Sequence, residues 1–195
     1  SAASAVAAGL AANQLYGAKL SKSDLVLPCA TAESKVSGGF FLDNIGASLM
    51  GGVVITNPSL KTVFPLGHIP QAIIIVVTPG YKLLTRKTRK ILPRKVRLEH
   101  VIANLSNACS IVAAVAHQDV RMFGVAICDV LIEPVRAKLI PGFVEVKKAA
   151  LRNGALGCSI SGAGASVFAV ADDPNHASKI GSAMQKAFGR HGLAA

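Results

Sequence analysis

A chain of 195 residues, 51% hydrophobic and only 16% charged, has the apolar content to bury a sizeable core and too little charge to be a disordered segment. Its 21 Lys and Arg against 10 Asp and Glu leave a formal charge of +11, but the dense basic block at residues 82–97 has no aromatic after Tyr81, so a solvated face or a small-anion site is expected there and nucleic-acid binding is not. The four cysteines (Cys29, Cys109, Cys128 and Cys158) form no CxxC pair, which excludes a zinc ribbon or disulfide framework and suits a reducing compartment, and no apolar run approaches the roughly 18 residues of a membrane span.

Residues 1–15 are Ala-rich without proline and predict a helix from the first residue, closed by Tyr16-Gly17. A chain opening there without Met reads as the continuation of a longer one. Ser21 and Asp24 stand at capping-box spacing before a second helix over residues 25–35. Residues 37–52, glycine-bounded, are read as a loop leading to a strand at 53–56, and residues 58–70, with three prolines, as a connector and domain boundary.

Beyond it, residues 73–77 have the branching of a buried strand, and residues 86–91 predict a short helix stopped by Pro93. Longer helices follow over 98–116, over 120–131 before Pro134, and over 144–152 with Gly154 as the stop. Residues 155–159 and 166–170 read as strands around a glycine-rich turn, and a last helix runs from 175 to 190. Strands and helices mixed without a regular βαβ repeat predict an α+β fold, not a doubly wound sheet.

Two segments point to anion chemistry. In GCSISGAGAS, residues 157–166, Gly162 and Gly164 admit positive φ, so successive backbone N–H groups can converge on a phosphate; the plain alternative is a hairpin that merely joins two strands. Ser1, at the start of a helix, aims a hydroxyl and unpaired amides at an anion, or is simply an N-cap.

Taken together, these segments resemble a family. SAASAVAAGLAANQLYG is similar to the tail of the ATP-binding loop PxxxGLGSSAA of the GHMP kinases, and GALGCSISGAGASVFAV to their third motif. Within that superfamily the homoserine kinases are nearest, the plant branch above all. Glu33 followed by SGGFFLDNIGASLMGG resembles their E…SGYHADNIAPALLGG, TRKTRKILP their T-x-x-x-R-x-x-LP, and DVLIEPVRAKLIPGFVEVKKAAL their D-x-x-x-EP-x-R-x-x-LIPG segment.

The resemblance implies a GHMP kinase fold, with residues 1–70 the remnant of the N-terminal ATP-binding domain and residues 71–195 a ferredoxin-like C-terminal domain. It implies ATP-dependent phosphorylation of the L-homoserine hydroxyl on the route to threonine, with ATP and Mg²⁺ as cofactors. Ser1 and Glu33 would hold the metal; Ser1, Ser161, Gly162 and Gly164 would contact the nucleotide. Thr85, Arg89 and Arg136 would bind the substrate, Arg89 and Arg136 as guanidinium forks on its carboxylate. Asn44, with Arg89, would be catalytic: homoserine kinases carry Asn where related kinases have a catalytic-base Asp. The implied partners are L-homoserine and ATP, with no membrane and nucleic acid not expected; a homodimer is allowed, and the cytoplasm or plastid stroma is the expected compartment.

Three departures stand against this pattern. Phe41 occupies the place of a substrate-contacting His, and a phenyl ring makes no such hydrogen bond. Ala47 and Ala165 replace prolines, and the family's upstream half is not in the chain. A second reading is therefore carried alongside: a diverged, non-catalytic protein of this fold that binds an anion or partner through its basic block.

Overall fold

A computed structural model describes residues 1–83, 88 and 90–195. They divide into two compact units, Ser1–His68 and Ile69–Ala195.

The first unit opens with α1 (Ala2–Leu15), whose N-cap position, Ser1, makes no capping bond. Helix α2 (Lys22–Ser37) starts on the expected capping box, with the Asp24 N–H donating to Ser21 Oγ and the Ser21 N–H to Asp24 Oδ2. It ends where Gly38 turns left-handed at φ +72°. The two helices cross closely, since a Cβ on Gly9 would lie 2.6 Å from Cys29 Sγ.

The expected loop over 37–52 is corrected: residues 43–50 form a helix, α3 (Asp43–Met50). Leu42, Ile45 and Leu49 drive it by burying against Val6, Leu25, Val26 and Ala30, which outweighs the low propensity of Gly46. Gly46 itself is a contact point, where a Cβ would meet Val63 Cγ1 at 2.8 Å. The proline connector is corrected too. Residues 62–67 form β2 (Thr62–Gly67), paired antiparallel with β1 (Val53–Asn57). Pro65 opposes Val54 in a two-stranded ribbon, on a strand that pairs on one side only among the described residues, a place where a strand tolerates proline.

In the second unit β3 (Ile73–Val77), β4 (Gly157–Ile160) and β5 (Val167–Ala171) form an antiparallel sheet in the order β3-β5-β4, so the α+β reading holds. The predicted helix at 86–91 lies outside the described residues except for Thr88 and positions 90 and 91. Helix α4 (Leu98–His117) is, among the described residues, the one helix long and apolar enough to cross a membrane; its Asn104 and Asn107 amides are engaged in hydrogen bonds to residues 128–130 of the same unit.

The helix expected over 120–131 is shorter. It ends as α5 (Val120–Ala126), because the Asp129 carboxylate draws in the N–H groups of Leu131, Ile132 and Glu133 and offers the backbone an alternative to the helical ladder. Then follow α6 (Glu133–Ala137), α7 (Phe143–Arg152) and, after the sheet's hairpin, α8 (Pro174–Gly189). Alternation along β5 puts Val167, Ala169 and Ala171 into one core with Val146, Ala150, Ile180, Met184 and Phe188 of α7 and α8.

On the opposite sheet face α5 approaches β4 through two glycines. A Cβ on Gly157 would sit 2.0 Å from the Gly124 carbonyl oxygen, and that neighbour is backbone. Gly157→Ala is therefore expected to destabilise the chain by about 2–3 kcal/mol through overpacking, read as a lower urea midpoint. An unchanged midpoint would mean that α5 does not rest on β4 in this way.

Candidate active site

In the first unit, Glu33 is buried on α2, 8% exposed, and both carboxylate oxygens accept hydroxyl hydrogen bonds. Ser1 Oγ donates to Oε1 at 2.8 Å and Ser37 Oγ to Oε2 at 2.8 Å. Ser37 stands one helical turn after Glu33, while Ser1 is brought by the packing of α1 on α2. The Ser1 hydroxyl thus serves Glu33 and leaves the α1 amides uncapped. No Lys or Arg forms an ion pair with Glu33 among the described residues. A buried carboxylate ringed by hydroxyls and lacking a cation suits a hard, oxygen-seeking metal ion. Among the described residues no group of three or more His, Cys, Asp or Glu gathers anywhere, so protein ligands would be few and phosphate or water oxygens would complete the shell.

Asn44 lies exposed on the first turn of α3 and makes no hydrogen bond to Ser1 or Glu33. Its neighbour Asp43 accepts the Asn44 N–H at 2.8 Å, a local bond at the helix start. Phe41 packs on the backbone, where a Cβ on Gly39 would lie 2.5 Å from its ring.

The second unit gathers a different set. The glycine turn is a hairpin between β4 and β5, closed by Ser161 N–H to the Ser166 carbonyl at 2.8 Å and Gly164 N–H to the Ser161 carbonyl at 2.9 Å. Gly162 (φ +56°) and Gly164 (φ +86°) take the left-handed conformations foreseen from sequence. The hairpin consumes the N–H groups of Ser161 and Gly164; those of Gly162 and Ala163 take no part in closing it. Arg136 joins the turn, since its Nη1 donates to the Gly162 carbonyl at 2.7 Å, and its Nε is buried with no hydrogen-bond partner among the described residues. Thr85 and Arg89 lie outside the described residues.

Sequence reasoning missed the support beneath Arg136. Glu133, at the start of α6, accepts Ser159 Oγ at 2.6 Å and pairs with Lys147 of α7, with side chains 11% and 25% exposed respectively. Asp129 anchors the preceding turn. Burial would raise its carboxyl, but the Asn104 amide and the N–H groups of Ile132, Leu131 and Glu133 outweigh that and hold it below the ordinary range. The available signal was Glu133-Pro134, a helix start with proline in its first turn.

Burial also pushes the Cys158 thiol up to about 12, with Lys147 acting against the rise and Glu133 adding to it, and burial raises Cys29. All four cysteines are free, with Cys109 and Cys128 exposed. Two of them are expected to react quickly with a thiol reagent at pH 8 and two only after unfolding, as peptide mapping would verify.

The chain matches the family model for the GHMP kinases N terminal domain over residues 1–52 and that for GHMP kinases C terminal over residues 111–190. It belongs to the GHMP kinase family. Among its relatives, homoserine kinase of Arabidopsis thaliana is 43% identical over 188 residues, 94% of this chain and 50% of that protein. Homoserine kinase of Chlorobaculum tepidum is 40% identical over 192 residues, 96% of this chain and 58% of that protein. The crystal structure of homoserine kinase from Cytophaga hutchinsonii superposes with a TM-score of 0.92 at 36% identity, covering 97% of this chain and 60% of that one. A mevalonate kinase structure from L. major, at 18% identity and a TM-score of 0.75, shares the fold. The chain spans little more than half the length of these relatives.

Proposed function

We propose that this chain is part of a homoserine kinase, transferring the γ-phosphoryl group of ATP to the side-chain hydroxyl of L-homoserine. The observation that carries the reading is the match to a homoserine kinase structure over 97% of the chain at 36% identity. In the reaction the hydroxyl oxygen attacks the γ-phosphorus, the bond from that phosphorus to the bridging oxygen of ADP breaks, and the hydroxyl proton is released. Such a reaction asks a protein chiefly for positioning and for neutralising charge.

Glu33, helped by the Ser1 hydroxyl, would hold Mg²⁺, whose chemistry is to neutralise charge on the phosphate oxygens. Ser161, Gly162 and Gly164 would shape the backbone that meets phosphate. Arg136 would orient the amino-acid carboxylate together with Thr85 and Arg89; its buried Nε, without a partner among the described residues, is a deficit that a small turn toward a bound carboxylate would repair. Asn44 would position the substrate hydroxyl without taking its proton.

The test is ADP release with L-homoserine, L-serine and L-threonine as acceptors, on this chain completed with the remaining segments of the Arabidopsis relative. Homoserine-dependent turnover supports the reading. No turnover with any acceptor, in folded protein with magnesium present, would favour the non-catalytic alternative.

Phe41→His in the same protein restores an imidazole where the family has one. It is expected to raise kcat/KM for homoserine by roughly 5- to 150-fold, the worth of one hydrogen bond of about 1–3 kcal/mol in a polar site. Unchanged or lower kcat/KM would place Phe41 in a pocket that does not touch the substrate.

A further inference from the structure

Outside both clusters, the outward groove between α7 and α8 concentrates charge of one sign. One face of α8 presents Ser178, Lys179, Ser182 and Lys186, continued by Arg190 at its C-cap so that the cations stand at helical spacings of seven and four, and α7 adds Arg152 from its last turn. Asn153 and three alanines complete the lining of a depression of about 590 Å³, within the ordinary range of a small-ligand site. No carboxylate lines it. The acid nearest along the same face of α7, Glu145, faces His191 at 3.6 Å. Among the described residues none of the four cations forms an ion pair.

Helix dipoles account for part of this, because Arg152, Lys186 and Arg190 stand near helix C-termini, where positive charge is favourable. They do not account for Lys179, which lies in the first half of α8, nor for the convergence of both helices' cations on one depression. Like charges brought together without counter-charges repel, and a bound anion relieves that repulsion. The ligand's form follows from what else is there. With no aromatic side chain in the groove, bases have nothing to stack on, and the charge is confined to a depression instead of tracking along a surface as a nucleic-acid strand requires. Four cations and two hydroxyls suit several phosphoryl oxygens on one compact molecule.

We propose that the α7–α8 groove is a binding site for a small oligophosphate, an anion carrying two or more phosphoryl groups, and that it shares no residue with the glycine turn or with Arg136. The source is a nucleoside polyphosphate or an inorganic chain, and the experiment separates the two.

The 195-residue chain is titrated with inorganic tripolyphosphate, ATP, inorganic phosphate and a short single-stranded oligonucleotide, by calorimetry and by amide chemical-shift mapping in two-dimensional NMR. Tripolyphosphate is expected to bind saturably, with shifts at residues 149–153 and 178–190, and more tightly than phosphate. ATP binding there as tightly would identify a nucleotide ligand, and weaker ATP binding an inorganic one. Lys179→Gln with Lys186→Gln should weaken tripolyphosphate about tenfold, as expected for losing two charge-assisted contacts at an exposed site. Lys19→Gln with Lys22→Gln should change nothing. Shifts confined to residues 161–164, equal affinity in the α8 double variant, or oligonucleotide binding with the same affinity and dispersed shifts would each overturn the proposal. The map on the unaltered chain decides even if a variant misfolds.

Discussion

If the completed chain is the kinase proposed, Glu33→Gln is expected to lower its phosphoryl transfer at least about a hundredfold, because a carboxylate that held the metal would stabilise transition-state charge by several kcal/mol. The same exchange should leave the chain as stable as before or more so, by about 1 kcal/mol, since it removes a buried charge that has no cationic partner among the described residues. Loss of activity together with a held or raised melting temperature is the signature of a residue retained for chemistry. Ser1→Ala, which takes one hydroxyl from the same carboxylate, should act in the same direction and less strongly. The measurement is kcat against magnesium concentration beside a thermal melt. Full activity with unaltered magnesium dependence in Glu33→Gln would remove Glu33 from the metal site, and a large drop in melting temperature would make its role structural.

Glu133→Ala should destabilise the second unit by about 3 kcal/mol. The substitution strands Lys147, three-quarters buried, without its counter-charge, and leaves the Ser159 hydroxyl without an acceptor. Glu133→Gln, which keeps an acceptor for Ser159 but loses the charge, should fall between it and the parent. Because Glu133 begins the helix that carries Arg136, both variants should also weaken any ligand that Arg136 holds. Urea unfolding supplies the stability and calorimetry the binding. An unfolding curve for Glu133→Ala that overlays the parent's would show the Glu133–Lys147 pair to be dispensable.

These two carboxylates differ in how far the sequence reveals them. Glu33 is visible through the resemblance of its segment to a family motif, yet nothing in spacing shows that Ser1 reaches it, because the two are 32 positions apart and meet only through helix packing. Glu133 falls inside the EPVR segment of a family motif, but its partners stand 14 and 26 positions away on different elements. The Arg136 contact to Gly162 is equally long-range. Phe41 was legible as a departure from the family pattern; that its ring covers Gly39 was not.

What the sequence determined by itself are features settled within a few residues. The Ser21–Asp24 capping box, the helices at 98–117 and 143–152, the β-branched strand at 73–77 and the positive φ of Gly162 and Gly164 all follow from local propensity and short-range hydrogen bonds. Tertiary structure decided the rest, wherever local preferences are weak enough for burial or a distant partner to outweigh them. Residues 43–50 became a helix because Ile45 and Leu49 had a core to enter, and residues 62–67 a strand because β1 supplied a partner. The helix at 120 stopped early because Asp129 competed for its backbone. The grouping of Ser1 with Glu33, and of Arg136 with the glycine turn, belongs to the same class, since side chains so far apart in the chain are joined only after the elements carrying them have packed.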